Sequence, residues 1–298
     1  MYDGFSEYLK SHDVEYEEQK SLAAMSPMGI NTVAAYIAYP KNEDELIELV
    51  SYIKKREIPF IIAGRMSNIL FRYDAYDGVV IITTKIRRKI LAENEISLSC
   101  GMGLYGVISQ LAEYNLGGFE GLVGIPGTVG GMVKQNAGAF GYEMSDCFKS
   151  AIIYDTDTQS TAVYKKADMH FSYRDSILRN NSKILLSATF IPVPKSSSEI
   201  KEAIREFKQK RGNTQPVTER SLGSIFKRID GISAGYYIDK AGLKGTTVGA
   251  ATVSAKHAGF IVCRSGATAD DVIRLVEIVK ERVYKVFNVE LCEEIEII

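Results

Sequence analysis

Two glycine-bearing loops are the segments of this sequence best suited to chemistry on an anion. The first, Ala63-Gly64-Arg65-Met66-Ser67-Asn68, follows a short apolar run. The second, Gly124-Ile125-Pro126-Gly127-Thr128-Val129-Gly130-Gly131, supplies small residues whose backbone N–H groups can cradle a phosphate or pyrophosphate. Arg65 can add a positive charge. Taken alone, the first loop reads equally well as an ordinary turn. Two such loops, the second followed at once by Gln135-Asn136-Ala137-Gly138-Ala139-Phe140-Gly141, favour the anion reading.

Other constellations are weaker. Gly101-Met102-Gly103-Leu104-Tyr105-Gly106 matches G-x-G-x-x-G between a strand-like and a helix-like run. No second strand ending in an acidic residue follows about 20 positions on, so a tight strand-to-helix turn is the better reading. No G-x-x-x-x-G-K-[ST] occurs, and neither Ser67 nor Ser224 sits in a G-x-S-x-G elbow. His12, His170 and His257 are too dispersed for a metal centre, so none is expected.

The elements that must position these loops show in the periodicity. NEDELIELVSYIKKR (42–56) predicts a helix capped by Asn42, with Glu45 closing a capping box and Leu46, Leu49, Val50 and Ile53 on one face. Strands are predicted at 58–64, 79–83, 96–101, 150–154 and 184–191, and a second helix at 104–115. Residues 117–146 hold nine of the chain's 25 glycines and predict folded loop with close backbone approaches. The Pro/Ser-rich stretch 192–199 marks a domain boundary, with Ser198 capping a helix over 199–210. TADDVIRLVEIVKERVYKVF (268–287) is the clearest helix, capped by Thr268 and striped by Val272, Leu275, Val276, Val279 and Val283. The last ten residues alternate, predicting a closing strand.

Composition bounds the rest. A chain of 298 residues, 46% hydrophobic, predicts two globular domains, and a net charge of −1 argues against bulk nucleic-acid binding. No apolar stretch approaches the roughly 20 residues of a membrane helix. No secretory signal is visible, and Cys100, Cys147, Cys263 and Cys292 are too scattered for a zinc site or a disulfide framework. A cytoplasmic protein is expected.

Several motifs occur together and in one order: the Ser67-Asn68-Ile69-Leu70 loop, GLVGIPGTVGGMVKQNAGAFGYEMSD, FSYRDSIL (171–178), the TQP…GSIFK stretch (214–227) and AGLKG…VSAKHAGFIV (241–262). In these the chain resembles the UDP-N-acetylenolpyruvoylglucosamine reductases, the MurB family, from about residue 20 to the C-terminus, and in length its type II subgroup. The resemblance implies an α+β protein. An FAD-binding domain of the vanillyl-alcohol-oxidase (PCMH) type would occupy 1–197. A smaller α+β substrate-binding domain would occupy 198–298, its C-terminal tail returning to the active site.

The implied activity is NADPH-dependent, FAD-mediated reduction of UDP-N-acetylglucosamine enolpyruvate to UDP-N-acetylmuramate in peptidoglycan synthesis. The resemblance assigns flavin contacts to Gly64, Arg65, Met66, Ser67, Asn68, Ile125, Pro126, Gly127, Thr128, Gly130, Gly131, Asn136, Ala137 and Gly138. It assigns catalysis to Arg174, which would hold the substrate carboxylate, Ser224, which would give the proton, and Glu294, which would stabilise the enolate. Glu293 and Glu296 leave the last assignment open by register. Tyr173, Lys227, Arg228 and His257 are the substrate contacts. None of the three histidines lies in the flavin loops, so non-covalent FAD is expected, with a UDP-sugar and NADPH as partners and a monomer favoured. The chain departs from the family at Asn31-Thr32, Arg65-Met66, Arg228-Ile229 and Cys263. Two other readings therefore stand: a flavin oxidase acting on another alcohol, and a non-catalytic flavin- or nucleotide-binding paralogue.

Overall fold

A computed structural model describes residues 2–180 and 182–298. The chain divides into two compact units that interleave along the sequence. The first comprises the N-terminus up to Glu18, Tyr36–Arg65 and Gly78–Gln209; the second comprises Gln19–Ala35, Met66–Asp77 and Lys210–Ile298. The sequence placed one boundary at 197/198. The last changeover instead falls between 209 and 210, inside a helix, and two early segments join the second unit.

The first unit opens with helix α1 (Phe5–Ser11), which buries Phe5 and Leu9. Helix α2 (Glu43–Lys55) forms where its apolar spacing predicts and buries Leu46, Leu49, Val50 and Ile53, each contributing about 1.5–3 kcal/mol. Asn42 accepts the Glu45 N–H at its N-cap, but the Glu45 carboxylate reaches the N–H of Lys41 at 2.9 Å instead of closing the expected box on Asn42. A four-stranded sheet runs Glu15–Ser21, Val33–Tyr39, Ala75–Ile82, Phe60–Ala63, the last pair parallel. A five-stranded sheet runs Ser160–Lys165, Phe148–Asp155, Lys183–Phe190, Glu95–Ser99, Lys89–Ala92, each neighbouring pair antiparallel.

Helix α3 (Leu104–Glu113) follows the strand Glu95–Ser99 through the Gly101–Gly103 turn. A Cβ at Gly101 would stand 1.9 Å from the Thr83 carbonyl oxygen, so this glycine serves packing, as the turn reading required. The glycine-rich segment is more regular than expected. It holds a short helix, α4 (Val129–Lys134), and a hairpin of Gly138–Ala139 with Tyr142–Glu143. Helix α5 (Ser197–Thr214) starts earlier than predicted. Ser196, not Ser198, caps it, accepting the Glu199 N–H while Glu199 accepts the Ser196 N–H.

The second unit packs α6 (Ala234–Lys240) and α7 (Ala269–Phe287) with a three-stranded antiparallel sheet of Thr247–Val248, Ala251–Val253 and Ile261–Cys263. Thr268 and Asp271 close a capping box on α7, and all five predicted stripe residues are buried. Its core also takes in Met28, Ile30 and Leu70 from the early segments. The predicted closing strand shrinks to Glu296–Ile297, which runs parallel to Ile69–Leu70. Helices and strands are mixed throughout, and the architecture is α+β.

Candidate functional site

In the first unit the two glycine loops meet. A Cβ at Gly64 would lie 2.1 Å from Thr128 Oγ1, so only glycine lets the loop lie against Thr128. Gly103 bridges Thr128, and the position a Cβ would take on Gly103 is 3.4 Å from an Arg65 Nη and 4.0 Å from the Gly127 carbonyl oxygen. Arg65 is thereby brought beside Gly127 and Thr128. Three N–H groups of the second loop and helix α4 are spent inside the chain: Ile125 on Leu122, Val129 on Met102 and Gly130 on Cys100. Gly130 is crowded as well, its Cβ position 3.2 Å from Cys100, so it serves packing. The cradle of small residues at 64, 127 and 128, with one guanidinium across it, fits a phosphate-bearing cofactor.

Asn136 is 1% exposed, and its side-chain amide is occupied by the protein itself. Nδ2 donates to Glu143 Oε2 at 2.8 Å and to the Ser172 carbonyl at 3.1 Å, while Oδ1 accepts the Ser145 N–H at 3.0 Å. Its backbone N–H goes to Val133 and that of Ala137 to Met132. Asn136 therefore ties the 136–145 loop to the Ser172–Asp175 turn. Glu143, which the sequence did not single out, is the other half of that tie. Its position opposite Gly138 in a two-residue hairpin was the signal available.

The turn presents Tyr173 and Arg174. Ser172 and Asp175 exchange both backbone hydrogen bonds at 3.2 Å. Arg174 occupies the second central position at φ 56°, a conformation that glycine or asparagine fills more cheaply. Its Nη2 donates to the Gly138 carbonyl at 2.8 Å, and its guanidinium lies over the Tyr173 ring at 5.0 Å. The neighbouring Asp175 carboxylate accepts the Ser176 N–H at 2.9 Å.

Ser224 and Glu294 belong to the second unit. Ser224 bridges Phe260, and its Oγ donates to the Phe226 carbonyl at 3.1 Å. Phe226 bridges Glu293, and the Glu294 N–H donates to the Ile225 carbonyl at 2.8 Å. Chain segments distant in sequence thus set a hydroxyl and a carboxyl on adjoining backbone. The neighbouring Glu293 carboxylate is held by Lys280 at 2.9 Å. The Lys227 N–H donates to Cys292, and exposed Arg228 leads into a hairpin turn at Asp230-Gly231, both with positive φ. Met66 is buried at φ 53°.

His257 stands beside Ser224. A Cβ at Gly259 would lie 3.1 Å from the imidazole Cε1 and 3.5 Å from Ser224 Oγ, and the Gly259 N–H donates to Nδ1 at 3.2 Å. Burial lowers the His257 pKa from its usual 6.5, which keeps the ring neutral. Below about pH 6.5 the unfolded chain therefore binds a proton that the native state resists, and stability falls with pH. His257→Asn keeps an acceptor for Gly259 without titrating. Its unfolding free energy, measured in urea between about pH 7.5 and 5, should fall less than that of the wild type. Equal slopes would mean that the ring titrates normally. Burial also pushes the Cys100 and Cys263 thiols up to about 12, so neither is a nucleophile at neutral pH. Among the described residues no group of His, Cys, Asp and Glu could hold a metal ion, and no helix is long and apolar enough to cross a membrane.

Known proteins match both parts of the chain. Residues 34–159 match the FAD binding domain model, and 215–298 match that of the UDP-N-acetylenolpyruvoylglucosamine reductase C-terminal domain. The chain is 41% identical to the UDP-N-acetylenolpyruvoylglucosamine reductase of Caldicellulosiruptor saccharolyticus, over 99% of this chain and 95% of that protein. It is 36% identical to that of Lactobacillus helveticus, over 97% of each. The crystal structure of UDP-N-acetylenolpyruvylglucosamine reductase from Thermus caldophilus superposes with a TM-score of 0.79 at 29% identity, covering 95% of this chain and 98% of that one.

Proposed function

This chain belongs to the UDP-N-acetylenolpyruvoylglucosamine reductase family, and on that footing we propose that it reduces UDP-N-acetylglucosamine enolpyruvate to UDP-N-acetylmuramate with NADPH and FAD. The observation that carries the reading is the adjoining backbone of Ser224 and Glu294, held by the Glu294 N–H on Ile225. This supports a reading in which a proton donor and a carboxyl group act together on a vinyl ether. The oxidase and the binding-paralogue readings are not favoured, since the likeness to reductases runs the length of the chain and includes their C-terminal domain.

Bound non-covalently, FAD would supply the hydride chemistry, with NADPH as the electron source. Residues 64–67 with Gly127 and Thr128 would hold its phosphates through N–H groups and the Arg65 charge. The remaining work falls to side chains. The Arg174 guanidinium pairs with the substrate carboxylate and takes up the negative charge that grows there as the vinyl bond is reduced. The Ser224 Oγ–H delivers the proton to the carbon bearing that carboxylate. Glu294, with its carboxyl carrying a proton, would donate a hydrogen bond to the enolate. Tyr173, Lys227, Arg228 and His257 contact the UDP-sugar. Flavin binding is assigned to 1–197 and, apart from Tyr173 and Arg174, substrate binding to 198–298. The reaction serves peptidoglycan synthesis, and through it cell shape and division, in the cytoplasm, by a monomer.

The test is optical. Under anaerobic conditions NADPH should bleach the flavin absorbance of the purified protein, and one equivalent of the enolpyruvyl substrate should restore it. Flavin that stays reduced after substrate addition sinks the reading. Reoxidation by oxygen alone, with peroxide released, would point to the oxidase.

A further inference from the structure

The sequence placed Asn68 with the flavin loop, but its side chain is engaged elsewhere. Its Nδ2 donates to the Glu294 carbonyl oxygen at 3.1 Å, and its own carbonyl accepts the Glu296 N–H at 2.8 Å. The Glu294 N–H is held in turn by the Ile225 carbonyl, next to Ser224, at 2.8 Å. Beyond it the C-terminal tail zips along the chain after Asn68. Glu296–Ile297 pairs in parallel with Ile69–Leu70, the Ile298 N–H donates to Leu70 at 2.9 Å, and the Arg72 N–H donates to Ile298 at 2.7 Å.

Every contact in this set except one joins backbone to backbone and is indifferent to the side chain. The exception is the Asn68 amide on the Glu294 carbonyl. The N–H and C=O of Glu294 lie in the two peptide planes that flank its Cα, so holding both fixes the φ and ψ that set where the side chain leaves the backbone. We propose that Asn68 is a positioning residue for Glu294: it fixes the peptide plane after the glutamate's Cα, as Ile225 fixes the plane before it. The inference rests on the reductase reading and its assignment of Glu294. Only a side-chain donor of this reach serves. Aspartate would set negative charge against a carbonyl oxygen, and alanine would leave the carbonyl without its partner.

Misplacing a reacting group by about 1 Å can cost on the order of a hundredfold, so Asn68→Ala should lower kcat by about tenfold to a hundredfold. KM for the UDP-sugar and flavin affinity, read from quenching of flavin fluorescence, should change little. A double-mutant cycle carries the decision. In a Glu294→Ala background Asn68→Ala should cost less than about threefold, because the group it positions is gone. An equal loss in both backgrounds overturns the proposal. So does a loss expressed wholly as weaker flavin binding, which would make Asn68 a flavin contact. Amide hydrogen exchange separates this inference from the reductase reading, since it needs no turnover. Exchange at Glu294, Glu296 and Ile298 should quicken by about tenfold in Asn68→Ala, with other amides unchanged. Unchanged exchange at those amides overturns the proposal even in an active enzyme. A wild-type protein that never reduces the enolpyruvyl ether instead overturns the functional reading.

Discussion

Ser224→Ala protein is expected to accept electrons from NADPH at the wild-type rate and to lose about a thousandfold in the substrate-dependent half of the reaction. The split follows from where the proton is needed. Reduction of the flavin by NADPH uses no group on Ser224, whereas completing the lactyl ether requires a proton at the carbon beside the carboxylate. The substitution is mild for the fold, since it removes one hydrogen bond, from Oγ to the Phe226 carbonyl at 3.1 Å, worth about 1 kcal/mol. Gly223, at φ 82°, and the Phe260 bridge continue to hold the backbone. Stopped-flow absorbance separates the two halves directly. Ser224→Cys restores a proton donor at the same position and should recover part of the rate. If Ser224→Ala reoxidises within about threefold of wild type, the proton comes from elsewhere and Ser224 is a structural residue of its bridge.

Arg174→Lys is expected to lower kcat/KM by roughly a hundredfold to a thousandfold, although it keeps the charge. The guanidinium holds the Gly138 carbonyl at 2.8 Å through Nη2, and in the proposed role it would also meet the substrate carboxylate as a planar fork. A lysine ammonium can serve one partner at a time and cannot pair with both carboxylate oxygens in plane. The backbone adds a separate argument. Arg174 holds φ 56° at a turn position where glycine would be cheaper by about 1 kcal/mol or more, and such strain persists where a side chain has work to do. The expected loss falls on both KM and kcat, because in the proposed role the same contact would bind the carboxylate and stabilise its growing charge. Thermal unfolding of the variant should stay near wild type. A variant that loses stability in proportion to activity would reduce Arg174 to a brace for the Gly138 hairpin.

Periodicity and short-range chemistry were enough for the elements whose cause is local. Helix α7 buries its predicted valine and leucine stripe behind the Thr268–Asp271 box, and α2 takes the predicted Asn42 cap. Both depend on residues within one or two turns of each other, so the sequence contains the whole cause. The family resemblance likewise rested on contiguous motifs, and full-length relatives bear it out. What escaped the sequence has a cause elsewhere in the chain. α4 forms in glycine-rich sequence because Gly130 can lie against Cys100, and the final strand extends only as far as it is paired with Ile69–Leu70.

The same division runs through the candidate site. The family resemblance singled out Asn68, Asn136 and Glu294, but not what their polar groups touch. Asn136 turned out to bind Glu143 and Ser172, and Asn68 to bind Glu294 across most of the chain's length. An amide in a loop has the same local signature whether it faces a cofactor or a distant carbonyl. Which partner satisfies it depends on how the backbone closes on itself, and buried hydrogen-bonding groups must find a partner wherever the fold provides one. The sequence therefore determined the family and the α+β class, and through the resemblance it named candidate site residues. Tertiary structure alone decided which of those residues hold one another, since contacts between distant segments form only when the packed core brings those segments together.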